Sequence, residues 1–578
     1  MEPALVVAAG VVVVVAVNAW AKRLGVAAPL ILVAIGVAVS FLPSVSSIEI
    51  EPEWILAGVL PPLLYSAAVS MPTMDFRRDF GTIGGLSVAL VVLTSVVLGY
   101  FFAWVIPDIG LATGIALGAV VSPTDAVATS IVKGLGVPPR VVTVLEGESL
   151  LNDASALVIL RSAIAATAAS VSLWGVAGDF VQAVVVAVLV GAVVGVLNLR
   201  IRAALRDAAA STAISFVTPF VAFAPAEELG ASGLVAAVTA GLITGQGSAR
   251  YLRAQDRLSE TTNWATIEVL LEGAVFLTMG LQLFGFVDDV ADEHGSIANA
   301  IWFGAAAVAI ALLLRTGYVA IVLWSAARHQ VDPDEVRERI AAGEAKLREQ
   351  REHPELQRGP VNAARQARRE ANWGRRITQR LADMDYLAAS PLRRREGALL
   401  VWAGMRGAVT VAAAQTLPAG GATPQRSLLI LIAFVAAGGS LLVQGGTLGW
   451  VVRRLRLDGN DLDDPEERMR LLAEMAQASL TLVDDPDLRR KDGTPFSPQV
   501  LEGVRRRAQF EQSQEQQAQT RAITDEFREL HLRIIEAQRD VLLEARALGT
   551  FSSGALTAAL DVLDADQINA ELKGGAAD

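Results

Sequence analysis

Thirteen apolar segments dominate the sequence and restrict what the chain can fold into. A helix needs roughly 20 mostly apolar residues to cross a bilayer. Segments of about this kind lie at 4–20, 26–43, 54–71, 82–105, 110–132, 141–169, 172–199, 211–224, 230–246, 264–286, 298–326, 396–417 and 427–452. Hydrophobic residues make up 53% of the chain and charged residues only 19%. We therefore predict an all-α integral membrane protein that crosses the lipid bilayer about 13 times.

The charges between these segments predict an orientation. Basic residues fall in alternate connections, for example Lys22 with Arg23 and Arg77 with Arg78, whereas the connections at 49–53 and 288–293 are acidic. Loops rich in Lys and Arg stay in the cytoplasm. We expect a multi-pass protein of the cell membrane (plasma or inner), with the amino terminus outside and the carboxyl tail in the cytoplasm.

Two polar regions complete the predicted organisation. Spans 1–11 occupy 1–326, a charged and helical cytoplasmic insert follows at 327–395, spans 12 and 13 occupy 396–455, and an acidic helical tail covers 456–578. From Asp458 onward the chain has 14 Lys and Arg against 25 Asp and Glu, whereas the insert has 16 basic and 11 acidic residues. Opposite charges suggest that the tail binds the insert and regulates the protein, with salt weakening the contact.

Composition excludes several classes of function. The chain has no cysteine, so disulfides, zinc–thiolate sites and thiol nucleophiles are excluded. The residues before Asp458 carry 35 basic and 35 acidic side chains, which argues against a nucleic-acid partner. The histidines all lie outside the apolar segments, which excludes a histidine proton relay within the membrane. They are His294, His329, His353 and His531. We see no nucleophile–base pair of an enzyme and expect no cofactor.

Ionisable residues deep in the apolar segments are the candidates for function. Each costs ~2.5–3.5 kcal/mol to insert at the centre of a membrane helix, and such residues commonly mark ion or proton pathways. They are Asp125, Glu148, Asp153, Arg161, Glu268, Glu272, Arg315 and Arg406.

The fifth segment contains Ser122-Pro123-Thr124-Asp125. A proline inside a helix removes a backbone hydrogen bond, and a broken helix at membrane depth lines a cavity or packs against protein. Freed carbonyls, the Thr124 hydroxyl and the Asp125 carboxylate therefore make a candidate cation site. The alternative is a simple proline kink, with Asp125 hydrogen-bonded to a neighbouring helix.

The sixth segment places four polar residues on two adjacent helix faces. Residues i and i+4 share a face, so Ser149 lies with Asp153, and Glu148 lies with Asn152. Hydroxyl and carboxylate oxygens are hard ligands that suit Na⁺ or Li⁺ better than soft metals. A buried Glu148 needs a counter-charge. Arg406, between Gly404 and Gly407, is the candidate; the alternative is an arginine that reaches the interface.

Together these motifs resemble the monovalent cation/proton antiporter family, in the branch that contains animal sodium/proton exchangers and their bacterial and archaeal relatives. The resemblance covers about residues 1–455. It rests on Leu60-Pro61-Pro62-Leu63-Leu64-Tyr65, Ser122-Pro123-Thr124-Asp125, Glu148-Ser149-Leu150-Leu151-Asn152-Asp153 and Gly404-Met405-Arg406-Gly407-Ala408, with a softer likeness at 218–242.

The resemblance implies an inverted-repeat antiporter fold with discontinuous helices, and a homodimer. It implies that Asp153 binds the ion and the proton, that Thr124, Asp125 and Ser149 complete the Na⁺ site, and that Asn152 precedes the key carboxylate.

The resemblance also implies roles for neighbouring residues. Glu148 would pair with Arg406. The Asn152-Asp153 pair resembles the electroneutral branch, since electrogenic cousins carry Asp-Asp there.

One position departs from the family pattern. Relatives commonly have a glutamate after the Pro-Pro-Leu-Leu-aromatic run, where this chain has Ser66. If that glutamate helps to hold the cation, its loss could weaken sodium affinity or change ion choice. Glu272 in the tenth segment could compensate, or it could be a packing carboxylate.

The expected function is antiport of Na⁺, or of Li⁺ or K⁺, against H⁺. Asp153 would bind either ion in competition, and alternating access would give electroneutral 1:1 exchange. Three alternatives stay open at this point: a K⁺/H⁺ exchanger of the same fold, a cation channel, and a membrane sensor whose tail is the working module.

Overall fold

A computed structural model describes residues 3–24, 26–42, 51–168, 173–205, 207–292, 296–328, 391–418 and 423–457, with short stretches within 383–387 and 480–567. Its helices up to residue 204 are α1 (Pro3–Leu24), α2 (Ala28–Ser40), α3 (Leu60–Ser70), α4 (Thr73–Arg78), α5 (Phe80–Gly84), α6 (Leu90–Val105), α7 (Leu111–Val121), α8 (Val127–Lys133), α9 (Pro139–Ala168) and α10 (Leu173–Ala204). The later ones are α11 (Ala208–Glu228), α12 (Gly233–Tyr251), α13 (Ala254–Leu281), α14 (Leu283–Asp292), α15 (Ile297–Arg328), α16 (Arg394–Trp402), α17 (Ala408–Gln415), α18 (Arg426–Ser440) and α19 (Gly446–Leu455). Turns of π-helix, Trp54–Val59, Gly85–Ala89 and Leu441–Gly445, lead into α3, α6 and α19.

The all-α fold class is confirmed: the described residues contain helices and no strand. Helices run through all thirteen apolar segments. The eighth and ninth, which look short in the sequence, are in fact helices of 21 and 19 residues. At the turn between them the Glu227 carboxylate accepts the Gly233 N–H at 2.9 Å, so a charged residue is accommodated there.

The fifth and twelfth segments are broken. α7 ends at Val121 and α8 begins at Val127, while α16 ends at Trp402 and α17 begins at Ala408. Within the described ranges seven helices are long and apolar enough to cross a membrane, and the broken segments are not among them. The number of thirteen crossings therefore stays a prediction.

Apolar packing holds the two broken segments in the centre of the bundle. Leu117 and Val120 of α7 lie in one buried cluster with Leu429 and Ile432 of α18. Met405 of the second break lies in another, with residues of α5, α8 and α9. Both breaks are thereby shielded by neighbouring helices, which is the condition for irregular backbone at membrane depth.

The chain divides into two compact units, Met1–Leu462 and Asp463–Asp578. Most of the predicted insert (327–395) and of the acidic tail (456–578) lies outside the described residues. Within the insert, Asp383 accepts a hydrogen bond from Arg78 Nε at 2.6 Å. Within the tail, Arg505 pairs with Asp484 at 2.6 Å.

Candidate ion-binding site

The two helix breaks contact each other directly. The Asp125 N–H donates to the Met405 carbonyl at 2.8 Å. Pro123 cannot donate a backbone hydrogen bond, which ends α7 at that point. The breaks of α7–α8 and α16–α17 therefore form one crossing, and both flank the same carboxylate.

The Asp125 carboxylate caps two helices. Its Oδ1 accepts the Val127 N–H at 2.9 Å, at the start of α8, and the carboxylate also accepts the Ala408 N–H, at the start of α17. Orphan N–H groups and the positive end of the dipole favour an anion at a helix amino terminus. Gly407 is required here, because a Cβ atom at this position would lie 1.1 Å from Asp125 Oδ2.

The prediction that Glu148 pairs with Arg406 is wrong: its partner is a different arginine. Glu148 forms a two-pronged ion pair with Arg315 of α15: Arg315 Nη2 lies 2.8 Å from Oε2, and Nη1 donates to Oε1. The side chains of Glu148, Arg315 and Arg406 are all buried. Arg315 can approach because Gly404 has no side chain; a Cβ atom there would lie 2.6 Å from Arg315 Nε.

Arg406 binds backbone oxygens at the two breaks instead. Its Nε donates to the Val121 carbonyl at 3.0 Å and its Nη1 to the Gly404 carbonyl at 2.6 Å. The Met405 carbonyl accepts the Asp125 N–H, and the Thr124 carbonyl accepts from the Asn152 amide at 3.1 Å. Four of the carbonyls that the breaks free are therefore already hydrogen-bonded, which weakens the expectation that they coordinate a cation.

Asn152 braces the first break. Its Nδ2 donates to the Thr124 hydroxyl at 2.8 Å, and that hydroxyl donates to Glu148 Oε1 at 3.1 Å. Asn152 lines a small internal cavity with Glu148, Arg315 and Arg406. It was expected among the ion-binding residues, but it is not among the residues around the larger cavity. The reason is that residues 152 and 153 point about 100° apart on a helix.

A cavity of about 230 Å³ lies on the other face of α9. Asp153, Ser149, Asp125 and Thr124 all line it. The division of α9 into a Ser149–Asp153 face and a Glu148–Asn152 face is the one that the i, i+4 spacing predicts. Asp153 is 8% exposed, and within the described ranges its carboxylate has no hydrogen-bond or ion-pair partner.

Acidic residues continue along the cavity wall. Glu268 and Glu272 of α13 line it, as do Glu146 and Lys133, which form an ion pair with each other. Ser66 donates a hydrogen bond to Glu268 Oε1. The residue in contact with Ser66 is thus Glu268, one helical turn before the Glu272 that the sequence suggested as compensation.

Arg161, the last of the deep charges, pairs with Glu227 at 2.7 Å and its side chain is 57% exposed. No group of three or more His, Cys, Asp or Glu residues in the described part of the chain could hold a metal ion. What the cavity offers instead is two aspartates, Ser149 and Thr124, an oxygen set suited to a monovalent cation in transit.

Comparison with known proteins shows which family this chain resembles. The family described as "Sodium/hydrogen exchanger, transmembrane" matches residues 10–349. An uncharacterized Na⁺/H⁺ exchanger of Mycobacterium tuberculosis is 30% identical over 84% of this chain and 82% of its own length. One of Escherichia coli is 38% identical over 45% of this chain, and the aligned part spans 49% of that relative. The sodium, potassium, lithium and rubidium/H⁺ antiporter of Bacillus subtilis is 35% identical over 44% of this chain and 39% of its own length.

The fold is similar to that of a solved antiporter. The sodium proton antiporter of Methanocaldococcus jannaschii at pH 8 superimposes with a TM-score of 0.55 over 78% of this chain and 97% of its own, at 15% identity. This likeness supports the expected antiporter fold with discontinuous helices. The chain belongs to the family of transmembrane sodium/hydrogen exchangers, which are cation/proton antiporters and not enzymes.

Proposed function

We propose that this protein exchanges one monovalent cation for one H⁺ across the cell membrane, and that Na⁺ is its main cation. The observation that carries the proposal is the state of Asp153. It is 8% exposed, lines the cavity beside both helix breaks, and has no partner among the described residues.

Competition at one carboxylate is enough to couple the two ions. An ionised carboxylate without a counter-charge is costly in a site that excludes water. In the closed state of the transport cycle, the Asp153 carboxylate therefore has either a proton or a cation bound to it. Because the two occupants exclude each other and both carry one positive charge, the exchange is electroneutral and 1:1.

The cation's protein ligands are oxygens on the cavity wall. We assign the carboxylates of Asp153 and Asp125 and the hydroxyl of Ser149, all on the cavity wall. Asp125 also accepts two backbone N–H groups there, and an ionised carboxylate has further lone pairs for a cation. The Thr124 hydroxyl donates to Glu148 and accepts from Asn152, so it contributes at most its remaining lone pair.

The Glu148–Arg315 pair stays fixed during the cycle in this account. It lies on the face of α9 next to that of Asp153, at the small cavity. It joins α9 to α15, and Arg315 Nε donates to the Leu400 carbonyl of α16 at 2.8 Å. The pair thus supports the crossing of the broken helices without taking up the transported proton.

K⁺ is the main alternative cation. The Bacillus subtilis relative is named an antiporter of sodium, potassium, lithium and rubidium, and these cations all bind carboxylate and hydroxyl oxygens. We propose Na⁺ first because the matching family and the Mycobacterium tuberculosis relative are named for sodium/hydrogen exchange.

The membrane arrangement is part of the proposal. The positive-inside rule puts the loop after Lys133 in the cytoplasm and the amino terminus outside. Lys133 lies on the cavity wall with its side chain 54% exposed, so the cavity opens to the cytoplasm in this arrangement. We also propose a homodimer, which cross-linking in native membranes would test.

Proton flux in proteoliposomes tests the function. Purified protein is reconstituted with a pH-sensitive dye inside, and Na⁺, Li⁺, K⁺ or choline is added in turn. We expect alkali-cation-driven proton movement that is independent of membrane voltage, and none with choline. Proton movement without cation dependence, or a cation conductance without proton movement, would contradict exchange and favour a channel.

A further inference from the structure

The cavity wall also carries two carboxylates of α13. Glu268 and Glu272 are one turn apart and both line the cavity. Glu272 interacts electrostatically with Asp125, whereas Glu268 interacts with Lys133 and Glu146. Glu268 therefore lies toward the exposed end of the cavity, and Glu272 lies between it and the broken helices.

Glu268 is held by a neutral group. The Ser66 hydroxyl of α3, itself buried, donates to Glu268 Oε1. The other oxygen, Oε2, has no hydrogen-bond partner within the described ranges. The ammonium group of Lys133 nearby is already paired with Glu146. Glu268 is thus oriented by Ser66 with one carboxylate oxygen left free and its charge not neutralised by a paired base.

The balance of charge along the wall favours a cation. Five carboxylates line the cavity, those of Asp125, Glu146, Asp153, Glu268 and Glu272, against the single ammonium of Lys133. A cleft lined by one sign of charge concentrates the opposite ion. The unpartnered, buried Asp153 at the inner part of this wall gives an independent reason to expect a cation in the cavity.

We propose that Glu268, oriented by the Ser66 hydroxyl, binds the transported monovalent cation on its way between the exposed end of the cavity and Asp153. The inference rests on the proposed exchange function and adds a residue to it. Asp153 decides whether exchange occurs, because it carries the cation or the proton. Glu268 sets the cation concentration at which exchange is half-maximal, because a cation bound at Glu268 raises the local cation concentration next to Asp153.

The chemistry at position 66 follows from the same contact. A hydroxyl at Ser66 donates to the carboxylate and leaves room for it, whereas an apolar side chain would leave Oε1 without its buried donor. Ser66 is therefore a positioning residue for Glu268. Its own oxygen is not required as a cation ligand.

The test is the cation dependence of exchange for Glu268→Gln in proteoliposomes, with protein amount matched. The half-saturating Na⁺ concentration should rise about tenfold or more, equivalent to about 1.4 kcal/mol of binding free energy, while the maximal rate stays close to that of the unchanged protein. Glu228→Gln is the matched control: Glu228 is an exposed glutamate at the end of α11 that does not line the cavity, and its half-saturating concentration should not move.

Substitutions at Ser66 give a second readout that a general packing defect would not reproduce. Ser66→Ala should raise the half-saturating Na⁺ concentration, but by less than Glu268→Gln does. Ser66→Thr keeps the hydroxyl, so its half-saturating Na⁺ concentration should stay close to that of the unchanged protein. In the Glu268→Gln background, Ser66→Ala should add nothing further.

The outcomes separate this inference from the proposed function. If the unchanged protein shows no cation-driven proton movement, exchange itself fails. If it exchanges normally and Glu268→Gln leaves the half-saturating concentration unchanged, only the role of Glu268 is overturned. A correctly folded Glu268→Gln protein without any exchange also overturns the proposed role of Glu268, since Glu268 would then be essential for exchange itself, as Asp153 is.

Discussion

Arg315 Nη2 lies 2.8 Å from Glu148 Oε2, and this buried ion pair joins the middle of α15 to the first half of α9. The same guanidinium donates through Nε to the Leu400 carbonyl of α16 at 2.8 Å. One side chain therefore connects three elements: the helix that carries Asp153, the helix before the insert, and the first half of a broken helix.

Breaking this pair should destabilise the protein. Glu148→Ala or Arg315→Ala leaves one buried charge without a partner, at a cost of ~3–5 kcal/mol. Thermal unfolding in detergent measures the loss. Arg161→Ala is the matched control: it removes only the solvent-accessible ion pair with Glu227 and should cost no more than ~1 kcal/mol.

A double-mutant cycle distinguishes Arg315 from Arg406 as the partner of Glu148. Glu148 and Arg315 should show a large coupling energy because they are in direct contact. Glu148 and Arg406 should show a smaller one, because Arg406 binds the Val121 and Gly404 carbonyls instead. A larger coupling of Glu148 to Arg406 would contradict the pairing described here.

Gly407→Ala should disable the site. The new Cβ atom would occupy the position of the Asp125 carboxylate, so the carboxylate must leave the two helix termini that it caps. Overpacking costs ~1–3 kcal/mol, and we expect a lower unfolding temperature together with a loss of exchange. Gly439→Ala in α18 is the control, because a Cβ atom there meets nothing within 4 Å.

Local sequence patterns predicted most of the fold. Apolar segments of membrane-spanning length marked the helices, and Pro123 marked one break because a missing N–H is a property of the residue itself. The i, i+4 rule assigned the two faces of α9 because both faces belong to one helix. Each of these predictions needed only residues close together in the chain.

The partner of Glu148 was not predictable in this way. Arg315 and Arg406 are both arginines deep in apolar segments, and choosing between them requires the packing of α9, α15 and α16. Gly404 offered a partial signal, since its missing side chain is what admits Arg315. Likewise, the contact of Ser66 with Glu268 joins residues 202 positions apart, and no local pattern indicates it.

Asn152→Ala should loosen the first helix break. The substitution removes the hydrogen bonds to the Thr124 hydroxyl and carbonyl, and leaving buried polar groups unsatisfied costs ~1–3 kcal/mol. We expect a lower unfolding temperature with a reduced but measurable exchange rate, since Asn152 does not line the larger cavity. Complete loss of exchange at full stability would instead make Asn152 an ion ligand.

Truncation after Leu457 should preserve transport. Every residue assigned to the cation site lies before residue 410, and residues 463–578 form a separate compact unit. We expect the truncated protein to carry the same cations with a shifted dependence on cytoplasmic pH, measured as exchange rate against internal pH in liposomes. Superimposable curves would remove the regulatory role, and an inactive truncation would favour the sensor interpretation.

The most direct test of the account is cation-driven proton movement by Asp153→Asn in proteoliposomes. The amide imitates the protonated carboxyl group in shape but can neither release a proton nor bind a cation as a charge. We predict a correctly folded protein, monodisperse in detergent, that gives no proton movement with Na⁺, Li⁺ or K⁺, while Glu228→Gln exchanges normally. Robust exchange by Asp153→Asn would contradict the central claim that this carboxylate carries the cation or the proton across the membrane.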